Sequence, residues 1–169
     1  MKRKALAITL AAAMAMGTCA VTASAADGDK YTIGICQLVQ HEALDAATQG
    51  FKDEVTKELG EDAVTFDEQN AQGDSNTCST IINSFVSNNV DLILANATPA
   101  LQAAAAGTSD IPILGTSVTE YGVALGLDDF DGTVGGNISG TADLAPLDQQ
   151  AAMLNELCLL YTSDAADEG

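Results

Sequence analysis

Neutral polar side chains cluster at four points of the sequence, and each cluster directly follows a short apolar run. The clusters span residues 37–41, 68–74, 96–98 and 116–119. Amides and hydroxyls with few full charges suit a neutral or zwitterionic small molecule that is held by hydrogen bonds. The predicted ligand-binding residues are Gln37, His41, Asn70, Asn96, Thr98, Thr116, Ser117 and Thr119.

The elements before these clusters must position them, and apolar runs alternate with helical patterns along the chain. Short buried strands are predicted at 31–36, 63–67, 90–95 and 111–114. Helices are predicted at 43–59 and 75–88, and Pro99 opens a third helix that continues to residue 106. This order predicts an α/β fold, a parallel sheet with helices on both faces. Such sheets bind ligands beyond the carboxyl ends of their strands, where all four clusters lie.

The pattern is looser after Gly115. A short helix is predicted at 119–124, with an overlapping strand candidate at 123–127. The glycines within 132–140 indicate a flexible approach to a hinge or domain crossover. Residues 143–157 then show a helical apolar face, formed by Leu144, Leu147, Ala151, Leu154 and Leu157.

The sequences at both ends of the chain are not typical of the α/β pattern in between. Residues 1–25 have a basic start, an apolar run and small residues before Ala26, which together predict a secretory signal peptide that is cleaved after Ala25. Cys19 is an alternative site for a lipid anchor. Residues 158–168 resemble the translation of a transposase adapter used in DNA sequencing, so 158–169 is predicted to be a non-native tail. A genuine acidic tail is the alternative.

Composition excludes several classes of function. The formal net charge is −18, which argues against nucleic-acid partners. Arg3 is the only arginine, so phosphate-rich ligands lose their usual bidentate partner.

Cys36 and Cys78 could form a disulfide after export or remain two buried thiols. No zinc motif, dinucleotide fingerprint or nucleophile elbow is present, so we expect no metal, no cofactor and no catalytic residue.

Several segments, in consistent order, resemble one family. They are Gln37 with 41–45, Gly50-Phe51, 70–74, 90–100, 111–113 and 136–140. Over 31–157 the chain is similar to the tryptophan/tyrosine-type ABC transporter substrate-binding proteins. The resemblance implies a two-lobed type I periplasmic binding fold, in which 26–141 form the N-terminal lobe and 142–157 a crossover helix toward a second lobe. Thr119-Glu120-Tyr121 departs from the Thr-Asp-Pro usual in the family.

The resemblance also implies a function. The chain is expected to be the first lobe of an exported protein, periplasmic or at the cell surface, that captures an amino acid such as tryptophan or tyrosine for an ABC transporter membrane permease. Thr98 and the amides after it would bind the ligand carboxylate, and Gln37, Asn96 or Asn70 the ammonium. A ligand-sensing receptor domain with the same fold is one alternative, and an α/β enzyme is a weaker one.

Overall fold

The computed structural model describes residues 30–165, and the surroundings of side chains for 30–157. The strands are β1 (Tyr31–Gln37), β2 (Val64–Asn70), β3 (Leu92–Asn96), β4 (Ile113–Val118) and β5 (Ile138–Ala142). The helices are α1 (Glu42–Leu59), α2 (Ser75–Ser87), α3 (Thr98–Gly107), α4 (Tyr121–Leu125) and α5 (Leu147–Ala165), with a 3-10 turn at Glu61–Ala63.

The five strands form one sheet in the order β2-β1-β3-β4-β5, and every neighbouring pair is parallel. The predicted α/β fold with a parallel sheet is confirmed. The chain starts in the middle of the sheet, moves to one edge and then returns past β1 to build the other edge. In open parallel sheets, ligands usually bind beyond the carboxyl ends of the strands at such a crossover, which here lies between β1 and β3.

The glycine-rich segment near residue 136 is more ordered than predicted. Residues 138–142 form β5, where the sequence indicated a flexible approach to a hinge. A side chain on Gly140 would collide with the backbone of Gly115 and with the hydroxyl of Tyr121. The absence of a side chain at Gly140 therefore permits close packing of β5 on β4, and glycine at this position indicates tight approach rather than flexibility.

Two other predictions need correction in this region. The strand candidate at 123–127 is wrong, because α4 covers Tyr121–Leu125 and ends at Gly126 in the left-handed conformation (φ 64°). The fourth strand begins at Ile113 and runs to Val118, four residues beyond the predicted end. Hydrogen-bonded pairing with β3 extends that strand, which a local apolar pattern cannot reveal.

Apolar side chains cover the sheet on both faces. The larger cluster joins the sheet to α2 and α3, and its fully buried members include Phe85, Ile82 and Leu101. A smaller cluster of Ile33, Ile35 and Leu94 lies under α1. The alternation of strand side chains assigns each residue to one of these two faces.

The predicted targeting and tail segments fall largely outside the described residues. The signal peptide (1–25) and Cys19 precede the first described residue. Helix α5 runs through Leu157 to Ala165 and so continues past the predicted start of the tail. The domain boundaries therefore stay predictions. Between residues 30 and 165, none of the helices is both long and apolar enough to cross a bilayer.

Candidate ligand-binding site

Four of the predicted residues lie side by side at the carboxyl edge of the sheet. Gln37, the last residue of β1, is in register with Asn70 on one side and Asn96 on the other. Asn96 is in turn in register with Thr116 of β4. Residues in register on parallel strands project from the same face of the sheet. Asn70, Gln37, Asn96 and Thr116 therefore form a single row across four strands.

The middle of this row is buried beneath the start of α1. Gln37 is 4% exposed, and its Nε2 donates to the Asp45 carboxylate at 2.6 Å and to the Val39 carbonyl at 3.0 Å. Its Oε1 accepts from the Thr48 hydroxyl at 2.7 Å. Both ends of the Gln37 amide are thus bound within the protein, where they hold α1 against β1.

Asn96 completes a polar cluster, which we define as Gln37, Asp45, Thr48 and Asn96. Its Nδ2 donates to the Leu44 carbonyl at 2.8 Å and to the Thr48 hydroxyl oxygen at 2.9 Å. The side chain is fully buried, and its Oδ1 has no hydrogen-bond partner among the described residues. An unpaired buried acceptor costs about 1–3 kcal/mol. Asn96 Oδ1 is therefore an acceptor that the described residues leave unfilled within the cluster.

The outer residues of the row are more open. Asn70 is half-buried, and its Oδ1 accepts the backbone N–H of Gln72 at 2.9 Å in a local turn. Thr116 and Ser117 are half-buried at the end of β4. Ser117 has a φ of 55°, in the left-handed region that non-glycine residues rarely occupy.

The N-terminus of α3 differs from those of α1, α2 and α4. Those three helices are capped by the side chains of His41, Asp74 and Glu120 respectively. At α3 the cap residue is Ala97, which has no side-chain oxygen, and no other described side chain caps the helix. The first amides of α3 therefore remain available to an anionic group.

The backbone at the start of α3 is also strained. Ala97 has φ 98° and ψ 157°, a conformation that is essentially restricted to glycine. Its N–H donates to the Thr116 carbonyl at 3.0 Å, and its carbonyl accepts from Leu101 at 3.0 Å. These bonds hold the strained turn in place and position half-buried Thr98 next to the end of β4. Strain of this kind is concentrated at ligand sites, which supports a role for this turn.

His41 and Thr119 lie in the loops that follow β1 and β4. The His41 side chain is exposed, and its Nδ1 accepts the Ala43 N–H at 3.2 Å as the cap of α1. Thr119 is exposed and lines a cavity of about 580 Å³ between α4, β5 and the loop at 130–135. The structure does not bring either residue into the row, which is defined by strand register.

Tyr121 belongs to this cavity and was not predicted from the sequence. Its hydroxyl donates to the Thr141 carbonyl at 3.3 Å and bridges α4 to β5. Burial, with a smaller contribution from Asp143, raises the pKa of the Tyr121 phenol, which therefore stays protonated near neutral pH.

Asp45 and Thr48 of α1 were also missed as parts of the site. The sequence offered one signal for them, because Thr48 is a polar residue on the same helical face as Leu44 and Phe51.

Cys36 and Cys78 are free and buried. Across residues 30–165, no group of three or more histidine, cysteine or acidic side chains is arranged to hold a metal ion. The described site consists mainly of amides, hydroxyls and backbone groups, with the Asp45 carboxylate hydrogen-bonded to Gln37. Such groups bind by hydrogen bonds and fit a small polar solute.

Comparison with known proteins identifies the family. Residues 32–159 match the ABC transporter substrate binding protein family. This chain belongs to that family. Family members are binding proteins rather than enzymes, in keeping with the hydrogen-bonding site above.

Individual relatives agree with this assignment. A tyrosine-binding protein of Clostridioides difficile is 43% identical over 129 residues, which cover 74% of this chain and 36% of the relative. A substrate-binding protein with adhesive properties from Clostridium difficile, in its ligand-free open form, has a TM-score of 0.66 at 42% identity and covers 74% of this chain. This chain spans 43% of that structure.

A third relative was solved with a ligand. It is an ABC domain from Streptococcus pneumoniae in complex with L-Trp, with a TM-score of 0.65 at 32% identity. The match covers 72% of this chain and 41% of the relative. The chain thus spans less than half the length of these relatives. Its parallel sheet with covering helices matches the type I periplasmic binding fold of the structural relatives.

Proposed function

We propose that this chain is part of the extracytoplasmic solute-binding component of an ABC importer, and that the solute is an amino acid such as tyrosine or tryptophan. The observation that carries the proposal is the uncapped N-terminus of α3, at the carboxyl edge of the sheet and beside the hydroxyls of β4. The family membership and the ligands named for two relatives support the same solute class.

The ligand carboxylate binds at the start of α3. Leu101 makes the first hydrogen bond of the helix, so the amides of Thr98 and Ala100 lack helical acceptors, and Pro99 has no N–H. These two amides and the Thr98 hydroxyl are donors for a carboxylate, which the helix dipole also favours. Thr116, Ser117 and Thr119 supply further hydroxyls from β4 and the loop after it.

The ligand ammonium requires acceptors. Asn70 at the outer end of the row and the unpaired Oδ1 of Asn96 are the acceptors that we propose. Gln37 acts by holding the start of α1, since its amide is already bound on both sides. His41 borders the site from the cap of α1, where its second ring nitrogen faces away from the capping bond.

The proposed partner is the membrane permease of the importer. Substrate-binding proteins of this family work outside the cytoplasm. A signal peptide at 1–25 is consistent with that placement, and anchoring at Cys19 remains a proposal. A net charge of −18 disfavours anionic surfaces and nucleic acid as partners.

Replacement of the Thr98 hydroxyl tests the carboxylate site. In the full-length protein, Thr98→Val should weaken L-tyrosine or L-tryptophan binding by about 1–3 kcal/mol, because the carboxylate loses a donor. Isothermal titration calorimetry measures the change. Thr65→Val is the matched control, because Thr65 is exposed near the opposite end of the sheet. Equal affinities for wild type and Thr98→Val would remove Thr98 from the site.

A further inference from the structure

The two faces of β1 meet different helices. Ile35 belongs to the apolar cluster under α1, whereas Cys36 belongs to the cluster formed with α2 and α3. Gly34 lies on the same face as Cys36, and a Cβ at Gly34 would come within 2.6 Å of the Phe85 ring. Phe85 of α2 therefore packs directly over β1.

Cys78 lies seven residues before Phe85 on the same helix, which is about two turns. Because α2 runs antiparallel to β1, the start of the helix lies over the carboxyl end of the strand. Cys78 thus lies over the same face of β1 as Cys36, and both side chains belong to the same buried cluster. Both side chains are fully buried.

We propose that Cys36 and Cys78 are a dithiol site that closes into a disulfide between β1 and α2. The reaction is an exchange with an external disulfide, such as that of a thiol oxidoreductase or oxidised glutathione. Each thiol loses one proton, the two sulfurs bond and give up two electrons, and the external disulfide is reduced to two thiols. Proteins that work outside the cytoplasm meet such oxidants.

Burial decides when this exchange can occur. Loss of solvent raises the pKa of the Cys36 thiol, and the neighbouring Cys78 raises it further. Burial likewise raises the pKa of Cys78. Since the thiolate is the attacking species, the folded dithiol reacts slowly. We therefore expect the disulfide to form during folding and to resist reduction afterwards.

The disulfide would join the bases of two loops of the proposed site. Cys36 directly precedes Gln37, and Cys78 lies one turn after Asp74, the cap of α2. The loop after β1 carries His41, and the loop before α2 follows Asn70. A covalent bond at this point fixes the spacing of the two loops, whichever solute binds above them.

Peptide mapping tests the proposal directly. The full chain is refolded with a mixture of reduced and oxidised glutathione, denatured without reductant, alkylated and digested. The expected product is a Cys36–Cys78 linked peptide lacking two hydrogens, which reduction followed by a second alkylation converts into two alkylated peptides. Two alkylated thiols in the refolded protein would overturn the proposal, as would a predominant link from either residue to Cys19 or Cys158.

Thermal unfolding gives a second measurement. The oxidised wild type should melt roughly 10 °C above the reduced form, because the bond restricts the unfolded chain. Cys78→Ala removes one partner and should show the same midpoint under both conditions, with Cys36 fully alkylated. A shift of similar size in Cys78→Ala would assign the effect to another group and contradict the proposal.

Discussion

The two faces of the sheet are built differently at the end that carries the proposed site. On the face of α2 and α3, the buried cluster includes Phe85 and is apolar apart from two thiols and the Tyr121 hydroxyl. On the face of α1, the apolar cluster is small and gives way to the polar cluster at the carboxyl edge. The face of α2 and α3 contains most of the buried apolar side chains. The polar cluster on the face of α1 fixes the orientation of the first turns of that helix.

The difference between the two faces shows how one sheet can combine stability with a fixed arrangement of polar side chains. Apolar packing is non-directional, so it stabilises the fold without fixing amide orientations. Hydrogen bonds are directional, and the cluster of Gln37, Asp45, Thr48 and Asn96 fixes α1 relative to β1 and β3. Substitutions on the two faces should therefore have effects of different size and kind.

Truncation of Phe85, the largest fully buried side chain, should have the largest effect. Phe85→Ala should lower the free energy of unfolding by about 3–5 kcal/mol, because it leaves a cavity over Gly34. Phe51→Ala is the matched change on the other face, where Phe51 is half-buried and contacts the Phe66 ring edge-on at 6.5 Å. Urea unfolding followed by circular dichroism should show a clearly smaller loss there. Equal losses would contradict the difference between the faces.

The polar cluster should respond to a nearly isosteric change. Thr48→Val removes the donor to Gln37 and the acceptor for Asn96, so buried polar atoms lose partners and the free energy of unfolding falls by about 1–3 kcal/mol. Thr56→Val is the control, since Thr56 lies half-buried two turns further along α1. The same loss in both variants would show that the change measures helix packing rather than the cluster.

The sequence predicts the architecture because strands and helices differ in apolar period. Four strands and the first three helices were predicted near their observed positions, and Pro99 correctly indicated the start of α3. β5 was missed because its segment is rich in glycine and lacks an apolar run. Its strand conformation depends on pairing with β4, a long-range contact that local periodicity does not contain.

The candidate site was predictable in position but not in detail. The strand ends located the polar residues, and the register aligned four of them in one row. The partners that α1 supplies to Gln37 and Asn96 lie at least eight residues away along the chain. In the sequence, the single Thr48 on an apolar helix face is only a weak indication of its contacts with Gln37 and Asn96. The strain at Ala97 likewise depends on its bonds to Thr116 and Leu101.

The Asp74 cap of α2 should weaken in acid. The Asp74 carboxylate accepts the backbone N–H of Asn76 at 2.9 Å and the hydroxyl of Thr77 at 3.0 Å, and these bonds lower its pKa. A carboxyl group with a lower pKa when folded stabilises the protein above its unfolded pKa of about 3.9, and this contribution is lost as the pH falls through the folded value.

The variant Asp74→Asn isolates this smallest effect, because asparagine also caps helices but does not titrate. Urea unfolding between about pH 7 and pH 2 should show wild type as the more stable protein at neutral pH. The difference should shrink below about pH 4 as Asp74 becomes protonated. Other carboxyl groups titrate in both proteins and cancel in the comparison. A difference that stays constant across this range would show that the charge of Asp74 does not support the start of α2.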